Sequence, residues 1–369
     1  MLPPPPSHQG GDAPIRLTDN DAALAKLSAA RLGYLSDPFI KHFVPRASFQ
    51  PSRPPLINIG TFVRTVTIDD LVEQWIKLSN KEGKRCQIVS LGAGSDTRFW
   101  RLATGPQNDG LSTYIEVDFP ENTMKKAMAI KKSKDLSVIL GSPIDVKLGG
   151  TALSSPRYQL FPADLRQDPN ISLKSLTTAP PPLNPSLPTL LICECVLVYM
   201  QPEESNCLLQ WFQSYFASTG VLGTIVYEMF GLGDSFGRVM VSNLKVGETF
   251  EVLISARSPD ELPRSSSKAR NVSLPGADPF PSYQSLPSRF LNLGYTTARA
   301  LTLKEIRRSY VEPEELDRIS KLEMLDEIEE LDLVLEHYAI TWGLSLTSSS
   351  MGTWSEWGLV KREWNAQDD

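Results

Sequence analysis

Residues 86–100, CQIVSLGAGSDTRFW, decide the fold of this chain. An apolar run followed by Gly92 and Gly94 predicts a buried strand, a glycine turn and the start of a helix. Asp96 and Thr97 can cap that helix. Glycines at such a turn let a ligand approach the backbone, and the first helical turn offers free N–H groups. A single G-x-G is common where a strand meets a helix, so this stretch alone leaves a purely structural turn open.

The next apolar run, TYIEV at residues 113–117, ends in Asp118. An acidic residue that closes the second strand, about two dozen residues after the glycine turn, is the ribose-binding feature of nucleotide-type α/β folds. The dinucleotide fingerprint would need a third glycine near position 97, where Thr97 stands. The pattern therefore argues against a nicotinamide cofactor and favours an adenosine-bearing ligand without a pyrophosphate, such as S-adenosylmethionine.

Composition narrows the class of protein further. The chain has 369 residues, of which 41% are apolar, and this is enough for a sizeable core. Its net charge of −6 gives no reason to expect nucleic acid or an anionic membrane as a partner. No apolar run approaches the roughly 20 residues that span a bilayer, and the first residues lack the apolar segment of a signal peptide. We expect a cytoplasmic monomer.

Cysteine and histidine usage predicts no metal site. Cys193 and Cys195 lie two residues apart, but no second pair of cysteines or histidines stands at zinc spacing. The three histidines form no triad pattern. Reduced thiols of a cytosolic protein are the expected state of the four cysteines, at positions 86, 193, 195 and 207.

The organisation of the chain is predicted as one domain over residues 19–369, behind a disordered tail at 1–18. Helical patterns over 19–84 precede the first strand and therefore predict an N-terminal helical cap. A proline-rich linker follows at 179–188. The segment 258–284 is rich in serine, proline and charge, and it is predicted to be a mobile insertion.

Alternating strands and helices predict an α/β fold with a mostly parallel, Rossmann-like sheet and an antiparallel edge strand. The first helix is expected to begin at Asn20, and an acidic helical stretch is expected over 312–336. After the two strands already described, further strands are predicted at Val138–Leu140, Arg157–Pro162, Thr189–Met200, Gly223–Phe230, Thr296–Leu301, Tyr338–Leu346 and Gly358–Glu363.

One charged residue stands inside an otherwise buried strand pattern. Residues 189–200, TLLICECVLVYM, are apolar except for Glu194. A buried carboxylate needs a partner. A ligand at the carboxyl edge of the sheet would serve, and so would a buried basic side chain. Lys26 is the cation in the middle of the first helix, and a solvated lysine is the ordinary interpretation of it.

The chain resembles the leucine carboxyl methyltransferases, which methylate the C-terminal leucine carboxylate of the protein phosphatase 2A catalytic subunit. LGAGSDT together with ECVLVYM carries the resemblance among methyltransferases, and MFGLGDSFGRVM points to the phosphatase-directed branch. The matching runs, within about residues 20–345, are GYLSDPFIKHF (33–43), INIGTFVRT (57–65), QIVSLGAGSDTRFWRL (87–102), YIEVDFP (114–120), ADLR (163–166), PTLLICECVLVYM (188–200), YEMFGLGDSFGRVMVSNL (227–244) and LEMLDEIEELDLVLEHYAITW (322–342).

The resemblance implies a class I S-adenosylmethionine-dependent methyltransferase sheet with a helical cap around a deep pocket. It implies that Asp118 binds the ribose hydroxyls and that Asp164 and Leu165 form the adenine rim. The insertion at 258–284 matches nothing in the family. Carried over by position, the cofactor contacts would be Lys26, Arg64, Gly92, Gly94, Asp118, Asp164, Leu165 and Glu194.

Each remaining position suits the role that the resemblance implies. Gly92 and Gly94 would admit the methionine moiety of the cofactor. Lys26 and Arg64 would supply positive charge, either to the cofactor carboxylate or to the incoming carboxylate, and the sequence leaves both open.

The chemistry implied by the resemblance needs no general base. A C-terminal carboxyl group has a pKa of about 3.5 and is already an anion near neutral pH. The enzyme must instead align the reacting atoms and exclude water. Arg64 is expected to hold a carboxylate, because a guanidinium forks onto two oxygens. Tyr199 is a further candidate for orienting the substrate, and ordinary core packing is the alternative for it.

Two other functions stay open from the sequence. The first is a related O-methyltransferase acting on a small molecule or a modified tRNA base, although the negative net charge and the lack of an appended repeat region argue against the tRNA branch. The second is a cofactor-binding regulator without turnover. It would predict a damaged pocket, whereas Gly92, Asp118 and Glu194 are all in place.

Overall fold

One mixed sheet organises the computed structural model of this chain, which describes residues 12–178, 180–217, 220–246, 272–326, 328–346 and 351–362. Within these residues the strands are β1 (Cys86–Leu91), β2 (Leu111–Asp118), β3 (Asp145–Lys147), β4 (Ala152–Ser154), β5 (Tyr158–Pro162), β6 (Thr189–Glu194), β7 (Leu222–Met229), β8 (Thr297–Thr302) and β9 (Tyr338–Ser345). Their order across the sheet is β3-β4-β5-β2-β1-β6-β7-β9-β8.

The centre of the sheet is parallel and its edges are antiparallel. Strands β5, β2, β1, β6 and β7 pair in parallel. Strand β9 runs antiparallel to both β7 and β8, and β3 and β4 add antiparallel strands at the other edge. The predicted mostly parallel sheet is confirmed, and the order β5-β2-β1-β6-β7-β9-β8 is that of the class I methyltransferase fold.

Helices cover both faces of the sheet and the edge where the parallel strands end. They are α1 (Ala13–Arg31), α2 (Pro55–Lys81), α3 (Arg98–Thr104), α4 (Pro120–Lys132), α5 (Lys134–Leu140), α6 (Pro169–Ser172), α7 (Lys174–Thr177), α8 (Pro202–Phe216), α9 (Ser235–Val246), α10 (Ser288–Leu291), α11 (Leu303–Ser309), α12 (Pro313–Ser320), α13 (Ile328–Glu336) and α14 (Met351–Trp354). No helix in the described ranges combines the length and the apolar composition that a membrane crossing requires.

Alternation along β1 divides the core into two layers, as expected for a strand buried on both faces. Ile88 belongs to the cluster that contains Trp75 of α2, whereas Val89 belongs to the cluster that contains Phe212 of α8. All four side chains are fully buried. The sheet is therefore held between α2 on one side and α8 on the other, and its strand ends are fixed in space.

The N-terminal helical cap is present, but it begins earlier than predicted. Helix α1 starts at Ala13 and not at Asn20, with Pro14 in its first turn. Proline suits this position because its fixed φ matches the helix and its missing N–H would be unpaired there. The predicted disordered tail at 1–18 is therefore wrong for residues 12–18, and residues 1–11 lie outside the described part of the chain.

The predicted strand Val138–Leu140 is wrong, because these residues end helix α5. Ser133 caps this helix, and its Oγ accepts a hydrogen bond from Leu136 N–H at 3.3 Å. A short apolar run fits one turn of a helix as well as a strand. The short strands β3 and β4, which follow in the sequence, were not predicted.

The strand predicted over Thr189–Met200 ends at Glu194. The chain turns at Cys195, whose φ of 51° lies in the left-handed region. A 3-10 turn at Leu197–Tyr199 follows. Composition could not show this end, because apolar residues continue through the turn.

The predicted mobile insertion at 258–284 is wrong for its second half. Val272, Leu274 and Ala277 are buried in a cluster with Val198 and Met229. Apolar residues scattered among prolines and serines are enough to anchor this segment to the sheet. Residues 258–271 lie outside the described part of the chain.

Two predictions near the C-terminus also differ from the structure. The acidic stretch 312–336 is helical in two pieces, α12 and α13, and residues 321–326 between them are not helical. Residues 358–362 form no strand in the described chain. Trp357 anchors this last segment, because its indole N–H donates a hydrogen bond to the Leu71 carbonyl of α2 at 2.9 Å.

The predicted linker, residues 179–188, is irregular over its described part, 180–188, but is tied to the sheet. Leu183 is fully buried. The Gln87 side chain of β1 donates a hydrogen bond to the Asn184 carbonyl at 2.7 Å.

Candidate active site at the carboxyl edge of the sheet

A cavity of about 420 Å³ lies over the carboxyl ends of β1, β2, β5, β6 and β7 and is covered by α1 and α2. Its size falls in the range of small-molecule sites, and its position is where open α/β sheets bind their ligands. The structure brings together in its lining all nine predicted site residues, which are Lys26, Arg64, Gly92, Gly94, Asp118, Asp164, Leu165, Glu194 and Tyr199.

The turn after β1 requires both of its glycines. Gly92 has a φ of 61° and Gly94 a φ of 46°, which side-chain-bearing residues rarely adopt. A Cβ atom at Gly92 would overlap the Val196 side chain, and one at Gly94 would overlap the Asp19 carboxylate. The glycines therefore make room for neighbouring side chains as well as for a ligand.

Backbone N–H groups of the glycine turn already have side-chain acceptors, and so does the first N–H group of helix α3, since Arg98 N–H donates a hydrogen bond to Asp96 Oδ1 at 3.1 Å. Gly94 N–H donates a hydrogen bond to Asp118 Oδ2 at 2.7 Å. Ser95 N–H donates to Asp19 Oδ1 at 2.6 Å, and its hydroxyl donates to Asp19 Oδ2 at 3.0 Å. The turn consequently presents carboxylates to the cavity, which suit hydroxyl and cationic groups better than phosphates.

Asp118 is held by three N–H donors. Besides Gly94, the Phe119 backbone N–H and the Asn122 side-chain amide donate to its Oδ1 at 2.6 and 3.0 Å. Burial raises the pKa of Asp118 from its ordinary value, and the hydrogen bonds from Gly94, Asn122 and Phe119 oppose this rise. Two carboxylate oxygens offer about four acceptor positions. Asp118 therefore keeps capacity for a further hydroxyl donor from the cavity.

Lys26 is buried, so the solvated interpretation of it is wrong. Its ammonium group lies 3.2 Å from Asp96 Oδ1 and 3.6 Å from Asp37 Oδ2. The side chain is 9% exposed and lines the cavity. Lys26 thus links helix α1 to the loop after β1 while its stem forms part of the wall.

Glu194 has a basic protein partner, as one of the two sequence interpretations proposed. Arg98 Nη2 lies 2.8 Å from Glu194 Oε1, and Arg64 Nε lies 3.6 Å from Glu194 Oε2. Burial lowers the pKa of Arg98, but the carboxylates of Asp96, Glu194 and Asp69 outweigh it and raise this pKa well above its ordinary value. Glu194 still faces the cavity.

Arg64 projects from α2 into the cavity with donor capacity to spare. Its Nε is buried and has no hydrogen-bond partner among the described residues. The guanidinium lies 5.2 Å from the centroid of the Tyr227 ring. Burial lowers the pKa of Arg64, but neighbouring groups, Glu194 first among them, outweigh this effect and raise the pKa above its ordinary value. The guanidinium therefore stays charged. A charged guanidinium with unused N–H groups can bind an incoming carboxylate.

Two further polar groups that line the cavity, Cys195 and Tyr199, are neutral. Burial raises the pKa of the Cys195 thiol to about 12, so it is no thiolate nucleophile near neutral pH. Burial also raises the pKa of the Tyr199 phenol above its ordinary value. Tyr199 can therefore donate or accept a hydrogen bond in the cavity, but it cannot readily lose its proton.

Asp164, which follows β5, is fixed by a local ion pair. Arg166 Nε donates to Asp164 Oδ1 at 2.9 Å, and Arg166 Nη2 donates to Asp164 Oδ2 at 2.8 Å. Leu165, which lies between these two residues in the sequence, lines the cavity. Apolar side chains supply much of the remaining wall, among them Leu56, Ile57, Met229, Leu303, Val334 and Leu335.

Sequence reasoning missed Asp19 and Arg98. Arg98 stands in the quoted motif, but nothing local indicates that it reaches Glu194, a residue 96 positions away in the chain. Asp19 belongs to helix α1, and nothing local indicates that it reaches Ser95, a residue 76 positions away. No group of three or more histidine, cysteine or acidic side chains in the described ranges forms a metal site, and the absence of a metal stays a prediction.

Comparison with known proteins finds a family whose sequence pattern this chain matches. The family model described as leucine carboxyl methyltransferase matches residues 15–213, more than half of the chain. This range includes every predicted site residue.

Individual relatives extend the match over most of the chain. Leucine carboxyl methyltransferase 1 of Cryptococcus neoformans var. neoformans serotype D is 44% identical over 93% of this chain and 97% of its own length. The Bos taurus protein of the same name is 34% identical over 90% of each chain. The solved structure of magnesium protoporphyrin IX methyltransferase from Synechocystis PCC 6803 gives a TM-score of 0.37 at 13% identity, over 79% of this chain and 86% of that one.

Proposed function

The chain belongs to the leucine carboxyl methyltransferase family of S-adenosylmethionine-dependent methyltransferases, and we propose that it esterifies the C-terminal leucine carboxylate of the protein phosphatase 2A catalytic subunit. One observation carries the proposal beyond the family. The Arg64 guanidinium faces the cavity with a buried Nε that has no hydrogen-bond partner in the described chain. Such a donor requires a hydrogen-bond acceptor, and a carboxylate is the acceptor that a guanidinium binds most strongly.

The residues of the cavity fit the methyl donor. Asp118 has acceptor capacity for ribose hydroxyls after its three N–H partners are counted. Asp19 and Glu194 add negative charge at the lining, which suits a ligand that carries a sulfonium and an ammonium group. Lys26 supplies positive charge for its single carboxylate, which leaves Arg64 for the acceptor. S-adenosylmethionine, when bound, supplies an electrophilic methyl group.

The residues near Arg64 support attack by a carboxylate. A terminal carboxyl group is ionised near neutral pH and needs no base, and the neutral Cys195 and Tyr199 offer none. Arg64 can hold one or both oxygens of the acceptor in a fixed orientation. Tyr199 also lines the cavity and can donate a hydrogen bond to a ligand there. Alignment of this kind contributes to rate by reducing the entropy lost on reaching the transition state.

The apolar part of the lining supports a leucine side chain beside that carboxylate. Leu56, Ile57, Val334 and Leu335 belong to α2 and α13, and all of them face the cavity. Burial of a leucine side chain contributes about 1.5–3 kcal/mol. An acceptor that ends in a charged or small residue would lose this contribution.

The test is methyl transfer from labelled S-adenosylmethionine to phosphatase 2A and to the same phosphatase without its terminal leucine. We expect label on the intact catalytic subunit and none on the truncated form. Equal labelling of both forms, or labelling only of tRNA or a small molecule, would refute the proposed substrate.

A further inference from the structure

Helix α1 and its N-cap carry charged side chains at seven-residue intervals, at Asp12, Asp19 and Lys26. Residues seven apart are two helical turns apart and share a face. All three side chains reach toward the loops that follow β1 and β5. The helix therefore lies across the carboxyl edge of the sheet with a polar stripe facing the site.

The contact at the N-terminal end of this stripe is the most complete one. Arg166 Nη1 and Nη2 donate to the two oxygens of Asp12, each at 2.7 Å. The same guanidinium donates through Nε and Nη2 to the two oxygens of Asp164, at 2.9 and 2.8 Å. One side chain thus makes two forked ion pairs and joins α1 to the end of β5. The hydrogen bonds to Asp12 raise the pKa of Arg166 most, and those to Asp164 raise it next.

This bridge is built into the wall of the cavity. The Arg166 guanidinium lies 5.3 Å from the centroid of the Phe119 ring. Asp164, Arg166 and Phe119 all line the cavity, as does Ile15 one turn beyond Asp12. The side chains of Arg166, Asp12 and Asp164 are only 18%, 11% and 21% exposed. The bridge is therefore shielded from solvent, in contrast to a surface ion pair.

We propose that Arg166 is a positioning residue for the methyl donor, which fixes Asp164 and holds the N-terminal end of α1 closed over the site. The inference rests on the proposed function, because it takes the cavity to bind S-adenosylmethionine. Without Arg166, Asp12 and Asp164 would be neighbouring carboxylates that repel each other. The bridge accordingly slows release of the donor and of its demethylated product, while Arg64 remains in place for the acceptor.

The experiment compares Arg166→Lys and Arg166→Gln with the wild-type chain. A lysine keeps the charge but cannot fork onto two carboxylates. We expect Arg166→Lys to release S-adenosylhomocysteine on the order of tenfold faster, as the loss of a forked charge-assisted pair would allow. The KM for the donor should rise by a similar factor while kcat at saturating donor stays within about twofold. Arg166→Gln should have the larger effect, because it removes the positive charge between the Asp12 and Asp164 carboxylates.

A second variant separates closure of the helix from placement of Asp164. Asp12→Asn leaves the Arg166–Asp164 pair intact and should also speed release. The double variant Asp12→Asn with Arg166→Lys should release product little faster than Arg166→Lys alone, because both changes break one bridge.

Arg157→Lys is the matched control. Arg157 precedes the other end of β5 and makes three hydrogen bonds to Asn108 and Leu111, none of which lines the cavity. The Arg157→Lys variant should therefore release S-adenosylhomocysteine at the wild-type rate. Unaltered release from both Arg166→Lys and Asp12→Asn, or a loss of kcat with an unchanged KM for the donor, would overturn the positioning role. Failure of the wild-type chain to bind S-adenosylhomocysteine would instead overturn the proposed function.

Discussion

At the scale of single residues, the site depends on a guanidinium whose hydrogen-bonding capacity the protein leaves unused. Arg64 has an ion-pair neighbour in Glu194 at 3.6 Å, which is too long for a hydrogen bond. Its Nε is nonetheless shielded from water. An unsatisfied buried donor costs about 1–3 kcal/mol, and binding of a carboxylate would recover this.

Replacement of Arg64 by lysine tests its role as a clamp. The charge is kept but the planar fork is lost, so turnover should fall by well over tenfold, because misplacement by about 1 Å can cost on the order of a hundredfold. Raising the pH from about 6 to about 8 should not restore turnover, because no base is missing. The assay is initial rate at saturating donor and acceptor.

Arg307→Lys controls for the general effect of such a change. Arg307, in α11, also has a buried Nε without a hydrogen-bond partner among the described residues, but it does not line the cavity. Its lysine variant should keep wild-type turnover. Near-normal turnover of Arg64→Lys would contradict the clamp, and recovery at high pH would point to acid–base chemistry instead.

Residues at strand ends could be predicted, whereas their partners could not. Gly92, Asp118 and Glu194 each follow or end a parallel strand, so their side of the sheet is fixed once the strands are recognised. Asp19 and Arg98 act through contacts with residues 76 and 96 positions away in the chain. Hydrophobic periodicity in the sequence does not predict such contacts, because they depend on how the helices pack against the sheet.

At the scale of elements, long apolar patterns predicted helices and strands well, and short or mixed patterns did not. Residues 138–140 fit a strand by composition, but the Ser133 cap commits them to helix α5. Residues 272–284 are polar enough to suggest mobility, yet Val272 and Leu274 are buried. A few apolar anchors decide whether such a segment packs, and composition averages over them.

Replacement of Leu274 by alanine tests whether this segment contributes to stability. Leu274 is 8% exposed and packs in the cluster with Met229 of β7. Large-to-small core replacements of leucine cost about 2–5 kcal/mol, and we expect about 2 kcal/mol at this slightly exposed site. The measurement is the free energy of unfolding in urea. Leu291→Ala, at a leucine that is 49% exposed, should cost well under half as much, and an equal cost for the two variants would show that the segment does not pack.

At the scale of the whole molecule, charged groups are buried beneath the site as well as around it. Glu116 of β2 is fully buried. Lys126 of α4 lies 2.5 Å from its Oε2, and the Tyr158 hydroxyl donates to the same oxygen at 2.6 Å. Burial raises the pKa of Glu116 to about 7, against an ordinary value of 4.5, although Lys126 opposes the rise.

This raised pKa predicts how stability changes with pH. The folded chain holds a proton on Glu116 more tightly than the unfolded chain does. The stability gained from this proton is therefore complete below about pH 4.5 and is lost as the pH rises through about 7. The free energy of unfolding of the wild-type chain, relative to Glu116→Gln, should therefore decrease between about pH 5 and 7. Urea titrations of both proteins across this range measure the difference. A constant difference would contradict the raised pKa, and so would an increase with pH.

The overall strand order became predictable through the family resemblance, because apolar alternation identifies strands but not their neighbours in the sheet. The deep cavity follows from that order together with the cap formed by α1 and α2. The ion pairs that close the cap over the site could be identified only in the folded chain.

The proposed activity transfers a methyl group, in this cavity, from S-adenosylmethionine to the carboxylate of a C-terminal leucine. The most direct measurement is mass spectrometry of the terminal peptide of phosphatase 2A after incubation with the chain and S-adenosylmethionine. The proposed activity predicts the mass of one added methyl group on the terminal leucine and its loss in mild alkali, which hydrolyses esters. A methyl group on any other residue, or one that survives alkali, would contradict it.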